Sequence, residues 1–562
     1  MVRKRSSVSR EIAPEEIFLD ASNLPRRDDM QFEGRVVKPI GKRAVAGVGV
    51  ICVLVMAVFL GRSFELGVVH GSTYAEVSRE NRLDRSVLFA TRGVVYDRVG
   101  REIVWNEITP GSTTPFARRV YDDMPGLSHV VGFVRYPKSD AAGVWWREET
   151  TGASGVELAY DDDLAGKNGS SMIEIDAQGS VQSRSIVDPP KNGKDLTLSI
   201  DAEVQSKLFL LLSSHADRQG FVGGAAVIMD VETGEIVALT SFPEYDNVAF
   251  TEGDVEAVEI ASNDTRSPLL DRAISGLYAP GSILKPIFAA AALNENIIDP
   301  EKEILSTGAI TIPNPYDPSR PSIYRDWTVH GLVDMREAIA VSSDEYFYTI
   351  GGGYKDQKGL GIDRIDEYAR RFGLSVATGI ELAGEVRGVI PTPEWKLETF
   401  GEDNPWLLGN TYHTVIGQYG FQVTPIQAVR FTAAIANGGK LLTPQLTASS
   451  TPDYTMVGIP DSHLQVVREG MRMAVTSPRG DATVKSLNIS GIEIAGKTGT
   501  AQVGVKNEWM NSWATGFWPT EHPRYAYAVV LERAPAGTLS GAAPALRPFF
   551  EWLVEARPEY VL

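Results

Sequence analysis

Ser282 and Lys285 stand three residues apart in Tyr278-Ala279-Pro280-Gly281-Ser282-Ile283-Leu284-Lys285-Pro286, which runs into the apolar segment Ile287 to Leu293. Three residues is close to one helical turn, so a hydroxyl and an amine project from the same face. Burial and a neighbouring positive charge both disfavour an ammonium, and a neutral lysine amine can take the proton of a serine nucleophile. Pro280 and Gly281 end whatever precedes, and Pro286 falls in the first turn, where amides lack intrahelical acceptors and a missing N–H costs little. The pattern predicts that Ser282 opens a buried helix. A serine that merely caps a helix, beside a lysine that snorkels, would satisfy the same stretch.

Two further groups follow in the chain, Ser342-Ser343-Asp344 and Lys497-Thr498-Gly499-Thr500. No other serine has a lysine three residues on, and Lys-Thr-Gly occurs once. Ser342 or Ser343, with Asp344 and Glu345, also fits the cap and acidic first turn of a helix through Tyr346, Phe347 and Tyr348, and both readings hold at once. The three groups in this order are the motif set of penicillin-binding proteins and serine β-lactamases. On these residues the chain resembles a class B penicillin-binding protein, and within that class the elongation type, whose second motif often ends in Asp, as Asp344 does here. An ionised aspartate only accepts hydrogen bonds, so Asp344 would hold lysine ammonium groups rather than donate to substrate.

The resemblance implies a peptidoglycan D,D-transpeptidase and a role for each motif residue. Ser282 would attack the D-alanyl-D-alanine carbonyl of a stem peptide, Lys285 would take its proton, and Ser342 would pass the proton to the departing D-alanine. Asp344 and Lys497 would stabilise the charge pattern. The Thr498 and Thr500 hydroxyls, flanking Gly499, would bind the terminal carboxylate, and the backbone N–H groups of Ser282 and Thr500 would form the oxyanion hole. An amine from a neighbouring stem peptide then takes the acyl group. β-Lactams are expected as covalent ligands of the same serine.

Composition sets the surroundings. A chain of 562 residues exceeds a single core. Ala44 to Gly61 carries no charge, is flanked by Lys42-Arg43 and Arg62, and is long enough to span a bilayer. Residues 1–43 hold ten Lys or Arg against seven Asp or Glu, which by the positive-inside rule keeps this tail in the cytoplasm and puts the catalytic part outside. Pro14, Pro25 and Pro39 among mixed charges predict a mostly disordered tail, broken by one apolar patch, Ile17-Phe18-Leu19. With the tail at +3, the rest carries −21 of the formal −18, which argues against nucleic acid as a partner. The single cysteine, Cys52, lies in the apolar stretch and the seven histidines are scattered, so no disulfide, metal or other cofactor is expected.

Arg92 to Trp105 holds two apolar runs around a glycine-containing turn, a hairpin pattern. It resembles the first signature of the class B pedestal, and Gly152 to Tyr160 resembles the next. Only about fifty residues separate the two, short for the family. Neither carries catalytic equipment, so both are assigned to structure. Asp188 to Lys194 is a breaker-rich linker, taken as the domain boundary, and Leu196 to Ile200 alternates after it. Ala225 to Met229 and Glu235 to Leu239 predict paired strands, as do Ile492 to Lys497, Ser512 to Trp518 and Tyr525 to Leu531; a helix over Leu546 to Glu555 closes the chain. Thr424-Pro425-Ile426-Gln427 is a capping box. Gly417-Gln418-Tyr419-Gly420 resembles a family segment with its last two residues exchanged, and is given no catalytic role.

The expected architecture is α+β: a cytoplasmic tail (1–43), a transmembrane helix (44–61), a mostly β pedestal (62–194) and a penicillin-binding transpeptidase domain (195–562) with an antiparallel sheet layered with helices and a helical subdomain. Three rivals stand beside the elongation reading. A septal class B enzyme would share the motifs, and Asp344 with the Tyr324 to Trp327 block argues against it only through the resemblance. A membrane-bound β-lactam sensor would acylate without cross-linking, and the single span and the pedestal argue against it. A scaffold with a vestigial site is disfavoured because all three motifs are intact. Nothing between anchor and linker has room for a glycosyltransferase, so the resemblance implies a partner polymerase, a multi-spanning membrane glycosyltransferase.

Overall fold

The computed structural model describes residues 42–561 apart from 81–82, 109–113, 142, 176–180, 315–316, 318, 449–450 and 478. The disorder expected for the tail, and the Ile17-Phe18-Leu19 patch, fall outside the described residues. These divide into two compact units, one holding the chain up to Asp84 with Ile173–Arg184, the other Arg85–Met172 with Ser185–Leu562.

The first unit contains helix α1 (Lys42–Phe64), with no buried residue. Its apolar run continues to Val69, and among the described residues Lys42–Val69 is the one helix long and apolar enough to cross a membrane. A helix that is apolar all round and buried by none of the described residues suits lipid rather than water.

The second unit begins with a four-stranded sheet built from β1 (Val95–Tyr96), β2 (Glu102–Glu107), β3 (Arg118–Tyr121) and β4 (Leu196–Thr197), in the order β4-β1-β2-β3. The predicted hairpin is β1 and β2, with Val95 opposite Val104. Leu196 lies opposite Val95 in a parallel pair. The apolar run after the linker therefore completes the sheet of the hairpin, and the larger sheet starts only at Gly223.

Beside this small sheet the two signature blocks meet in a buried ionic cluster. The Glu157 carboxylate, fully buried, accepts from Arg92 Nε at 2.5 Å and Arg119 Nε at 2.6 Å, while Arg92 Nη2 donates to the Glu157 carbonyl at 2.6 Å. The blocks share this structural cause rather than a catalytic one. Removing the Glu157 carboxylate leaves the buried Arg119 guanidinium without its counter-ion and Arg92 with Asp161 alone, at 2.7 Å. Glu157→Gln is expected to cost about 3–5 kcal/mol of unfolding free energy, and a thermal melt matching the parent would assign the cluster no structural weight.

The larger sheet comprises β5 (Gly223–Asp230), β6 (Ile236–Phe242), β7 (Ala495–Val503), β8 (Trp509–Trp518) and β9 (Tyr525–Pro535), in the order β6-β5-β9-β8-β7 with every neighbour antiparallel. Its strands are longer than the sequence pattern indicated. Strands β5 and β6 are buried at every position because both faces are covered, whereas the edge strand β7 leaves Thr500 and Gln502 exposed. Ala226, Ile228, Val529 and Leu531 face a core formed with helices α2 (Ala202–Gln219), α6 (Asp461–Thr476) and α7 (Ala542–Ala556). Ala225, Val227, Ala528 and Val530 face the opposite core, formed with α3 (Lys285–Asn294) and α5 (Pro425–Ala436). Helix α7 starts at Ala542 rather than Leu546, because Ala542, Ala543 and Ala545 are buried and Ser512 Oγ accepts the Ala542 N–H at 3.0 Å. Thr424 and Gln427 form the predicted capping box of α5.

Candidate active site

Ser282 sits in a tight 3₁₀ turn, Gly281–Leu284, that leads directly into α3, and Lys285 through Leu293 are all buried. This is the helix start predicted from the sequence, tightened by one turn. The turn packs on β7, which is an edge strand of the sheet. Three glycines permit the approach. A Cβ on Gly499 would lie 2.5 Å from the Pro280 carbonyl oxygen, one on Gly281 would lie 3.0 Å from that of Thr500, and one on Gly417 would lie 2.2 Å from that of Gly281. Gly281 also has φ +58°, and its N–H donates to the Gly417 carbonyl at 3.0 Å. A side chain at any of them would push the nucleophile's turn off the strand. The Gly417 segment, given no role by sequence, thus buttresses Ser282 from behind.

The other motif residues meet beneath this turn. Helix α4 (Asp344–Gly352) is capped by Ser343, whose Oγ accepts the Tyr346 N–H at 3.2 Å. Ser342, immediately before the cap, has φ +59°, a left-handed conformation that serine rarely adopts. Lys285 Nζ donates to the Ser342 carbonyl at 2.7 Å, to Ser342 Oγ at 3.2 Å and to Asp344 Oδ1 at 2.6 Å. Lys497 Nζ reaches the same Ser342 Oγ at 2.8 Å and donates to the Thr498 carbonyl at 3.0 Å. One hydroxyl therefore bridges two buried lysines. Asp344 pairs with Lys285, and Lys497 has its hydrogen bonds with Ser342 and Thr498 instead. No hydrogen bond joins Ser282 to Lys285; nucleophile–base contacts of this kind are often long until substrate is bound.

These motifs, folded this way, have relatives. The penicillin binding protein transpeptidase domain matches residues 224–551, more than half of the chain, and the penicillin-binding protein dimerisation domain matches residues 107–198. The chain belongs to the penicillin-binding proteins. Among its relatives, the peptidoglycan D,D-transpeptidase MrdA of Haemophilus influenzae is 31% identical over 79% of this chain and 70% of its own. Penicillin-binding protein 2 of Pseudomonas aeruginosa superposes with a TM-score of 0.67 at 28% identity, covering 84% of this chain and 98% of that one. Penicillin-binding protein 2 of Helicobacter pylori, solved in complex with MreC, gives a TM-score of 0.69 at 25% identity over 84% and 99%.

In this penicillin-binding protein the cleft above the motif residues encloses about 610 Å³. Ser282, Ser342 and Asp344 line its floor, and Thr498 and Thr500 line one wall with Ser512 and Met510. Lys497 lies behind that wall, fully buried. Alternation along β7 explains the split, since Lys497 and Gly499 point to the core side while Thr498 and Thr500 point to the cleft. The opposite side carries residues that the sequence reading passed over, Thr483, Lys485 and Ser486, together with Trp327. No motif announces the first three; they come from the segment before β7, where Lys485–Leu487 forms a short 3₁₀ turn.

Burial pushes the Lys497 ammonium well below the usual lysine range, the Lys285 charge pushes the same way, and Asp344 opposes both. A lysine depressed in the folded state is a stability cost that is full below its folded value and fades as pH rises toward the ordinary 10.5. Lys497→Met is expected to raise the melting temperature at neutral pH by roughly 2–4 °C, with the gain shrinking as pH approaches 10.5. A melting temperature below the parent's at neutral pH would mean that the bonds to Ser342 and Thr498 outweigh the cost of burying the charge.

Proposed function

We infer that the protein is an elongation-type peptidoglycan D,D-transpeptidase, a serine acyltransferase of cell-wall synthesis and shape, in which Ser282, Lys285, Ser342, Asp344 and Lys497 carry the chemistry. The observation that carries this reading is the single Ser342 hydroxyl within reach of both lysines, directly beneath the serine turn. Ser282 Oγ forms the bond to the penultimate D-alanine carbonyl and gives up its proton to the Nζ lone pair of Lys285, which acts as the amine once it has released one of the three protons it donates to Ser342 and Asp344. The developing oxyanion is held by the backbone N–H groups of Ser282 and Thr500. As the tetrahedral intermediate collapses, the C–N bond breaks and Ser342 protonates the departing D-alanine nitrogen, drawing its replacement proton from the lysine pair. Thr498 and Thr500 hold the terminal carboxylate. In the second half an acceptor amine attacks the acyl ester, its proton returns through the same hydroxyl, and Ser282 is regenerated.

Relatedness to MrdA enzymes favours elongation over a septal role. The complete motif set and the open cleft favour an enzyme over a vestigial scaffold, and the dimerisation-type domain before the catalytic one favours it over a sensor. Lys42–Val69 anchors the protein in the membrane; the positive balance of residues 1–43 supports a cytoplasmic amino terminus and an extracytoplasmic active site. Residues 62–194 would then be the pedestal and 195–562 the transpeptidase domain. We assign polymerisation to a partner, a multi-spanning membrane glycosyltransferase, since residues 62–194 leave no room for such a domain. The test is reconstitution of the full chain with lipid-linked precursor and a polymerase, followed by digestion and chromatography. Cross-linked muropeptides are expected with the parent and absent with Ser282→Ala; linear glycan alone from the parent would refute the reading.

A further inference from the structure

Ser342 holds an uncommon backbone conformation at the point where both lysines converge, and something must hold it there. Its carbonyl has two donors. One is Lys285 Nζ; the other is the indole Nε1 of Trp327, at 3.3 Å. Next to it, Ser343 Oγ donates to Asp326 Oδ2 at 2.8 Å, and the Glu345 N–H donates to the same oxygen at 2.9 Å. Asp326 Oδ1 accepts the Trp327 N–H at 2.8 Å, with His330 Nε2 at 3.4 Å, long for a hydrogen bond. The Asp326 side chain is fully buried. Burial alone would raise its carboxyl, but the contacts with His330 and the Glu345 amide, the nearby Lys285 charge and Ser343 together hold it below the usual carboxylate range. A buried ionised carboxylate with this many donors costs little to keep and a great deal to disturb.

The lashing runs in both directions. Asp326 donates its own N–H to the Gly308 carbonyl at 2.9 Å, while the Glu345 carboxylate of α4 accepts the Thr307 and Gly308 N–H groups at 2.7 and 2.8 Å. Two carboxylates thus tie the start of α4 to the segment that carries Trp327. The Trp327 indole, 60% exposed, forms part of the cleft wall with its N–H turned inward.

We propose that Asp326 and Trp327 are positioning residues for acyl transfer, fixing Ser342 in its left-handed conformation so that its hydroxyl stays between Lys285 and Lys497. This rests on the transpeptidase reading. Asp326 acts through Ser343 and the Glu345 amide, Trp327 through the Ser342 carbonyl. A relay that depends on one hydroxyl at 2.8 and 3.2 Å from two amines does not tolerate displacement; a shift near 1 Å at such a group costs about 10²-fold in rate.

The test is acylation of the full chain by a fluorescent penicillin, resolving the maximal rate constant, the half-saturating concentration and the labelled fraction. Trp327→Phe keeps the ring and removes the N–H, and a fall in the maximal rate of about tenfold is expected. Asp326→Asn puts an amide donor against N–H and O–H donors, and a fall of about 10²-fold is expected. In both, the half-saturating concentration and labelled fraction should stay near the parent's. A purely structural role would lower the labelled fraction and the melting temperature while leaving the rate constant of the folded remainder unchanged, and that result would overturn the proposal. If Asp326→Asn does not fold, Trp327→Phe decides alone. Parent-like rate constants alongside a Ser282→Ala variant that takes no label would sink the positioning role only; label surviving in Ser282→Ala would sink the underlying reading and this inference with it.

Discussion

Lys285→Ala is expected to lose acylation by penicillin almost entirely, at least about 10²-fold and up to about 10⁴-fold, the range a positioned general base contributes. Lys285 Nζ is fully buried and makes all three of its hydrogen bonds to the second motif, two to Ser342 and one to Asp344. On the proposed mechanism, removing it takes away both the proton acceptor for Ser282 and the group that orients the relay hydroxyl. The fold should survive. Lys285 adds no large apolar surface to α3, alanine favours the helix, and Asp344, with its side chain 19% exposed, can turn to water. The measurement is the second-order rate of labelling beside a thermal melt. Undiminished labelling in a folded variant would assign the base elsewhere, with Lys497, which shares Ser342 Oγ, the first alternative.

The motif residues were legible because chemistry restricts which side chains can do the work and local structure restricts their spacing. Ser282 and Lys285 share one turn; Ser343 caps the helix that begins with Asp344. Both facts depend on neighbours in sequence. What escaped the sequence depends on neighbours in space. Gly417 resembles any loop glycine until the fold sets it against Gly281, more than a hundred residues earlier in the chain. Asp326 looks like a surface acid beside a tryptophan, and only the folded chain brings it to Ser343 and Glu345 and buries it. Leu196 and Thr197 show only an alternation after the linker, and nothing in it tells that they pair with Val95 and Tyr96, because a two-residue strand carries no information about its partner. The start of α7 was missed for a different reason: an alanine-rich stretch broken by Pro544 and Pro548 hides a helix that burial stabilises.

Treatment of the purified protein with penicillin is expected to give one adduct, on the peptide containing Ser282, persisting for minutes or longer and absent in Ser282→Ala. A β-lactam offers a strained amide beside a carboxylate, so a site that binds D-alanyl-D-alanine accepts it as an acyl donor. How long the acyl ester lasts depends on whether the site can activate water. A hydrolase of this motif family needs a carboxylate placed to take a proton from water at the ester. Among the described residues, the only acid lining the cleft is Asp344, and its Oδ1 is held by Lys285 at 2.6 Å. Glu345, next in sequence, faces away, its carboxylate filled by the Thr307 and Gly308 amides. The remaining walls offer hydroxyls, Lys485, Trp327 and the apolar Met510 and Leu539, and no second carboxylate. An incoming amine brings its own nucleophilicity and, on the proposed mechanism, needs only the Ser342 relay to lose its proton, so transfer to an amine is expected to outrun transfer to water. Intact-protein mass spectrometry over time separates the outcomes. A persistent adduct fits a transpeptidase, one that clears within seconds would identify a hydrolase and an unassigned base, and no adduct at all would show that Ser282 is not activated by the groups gathered beneath it.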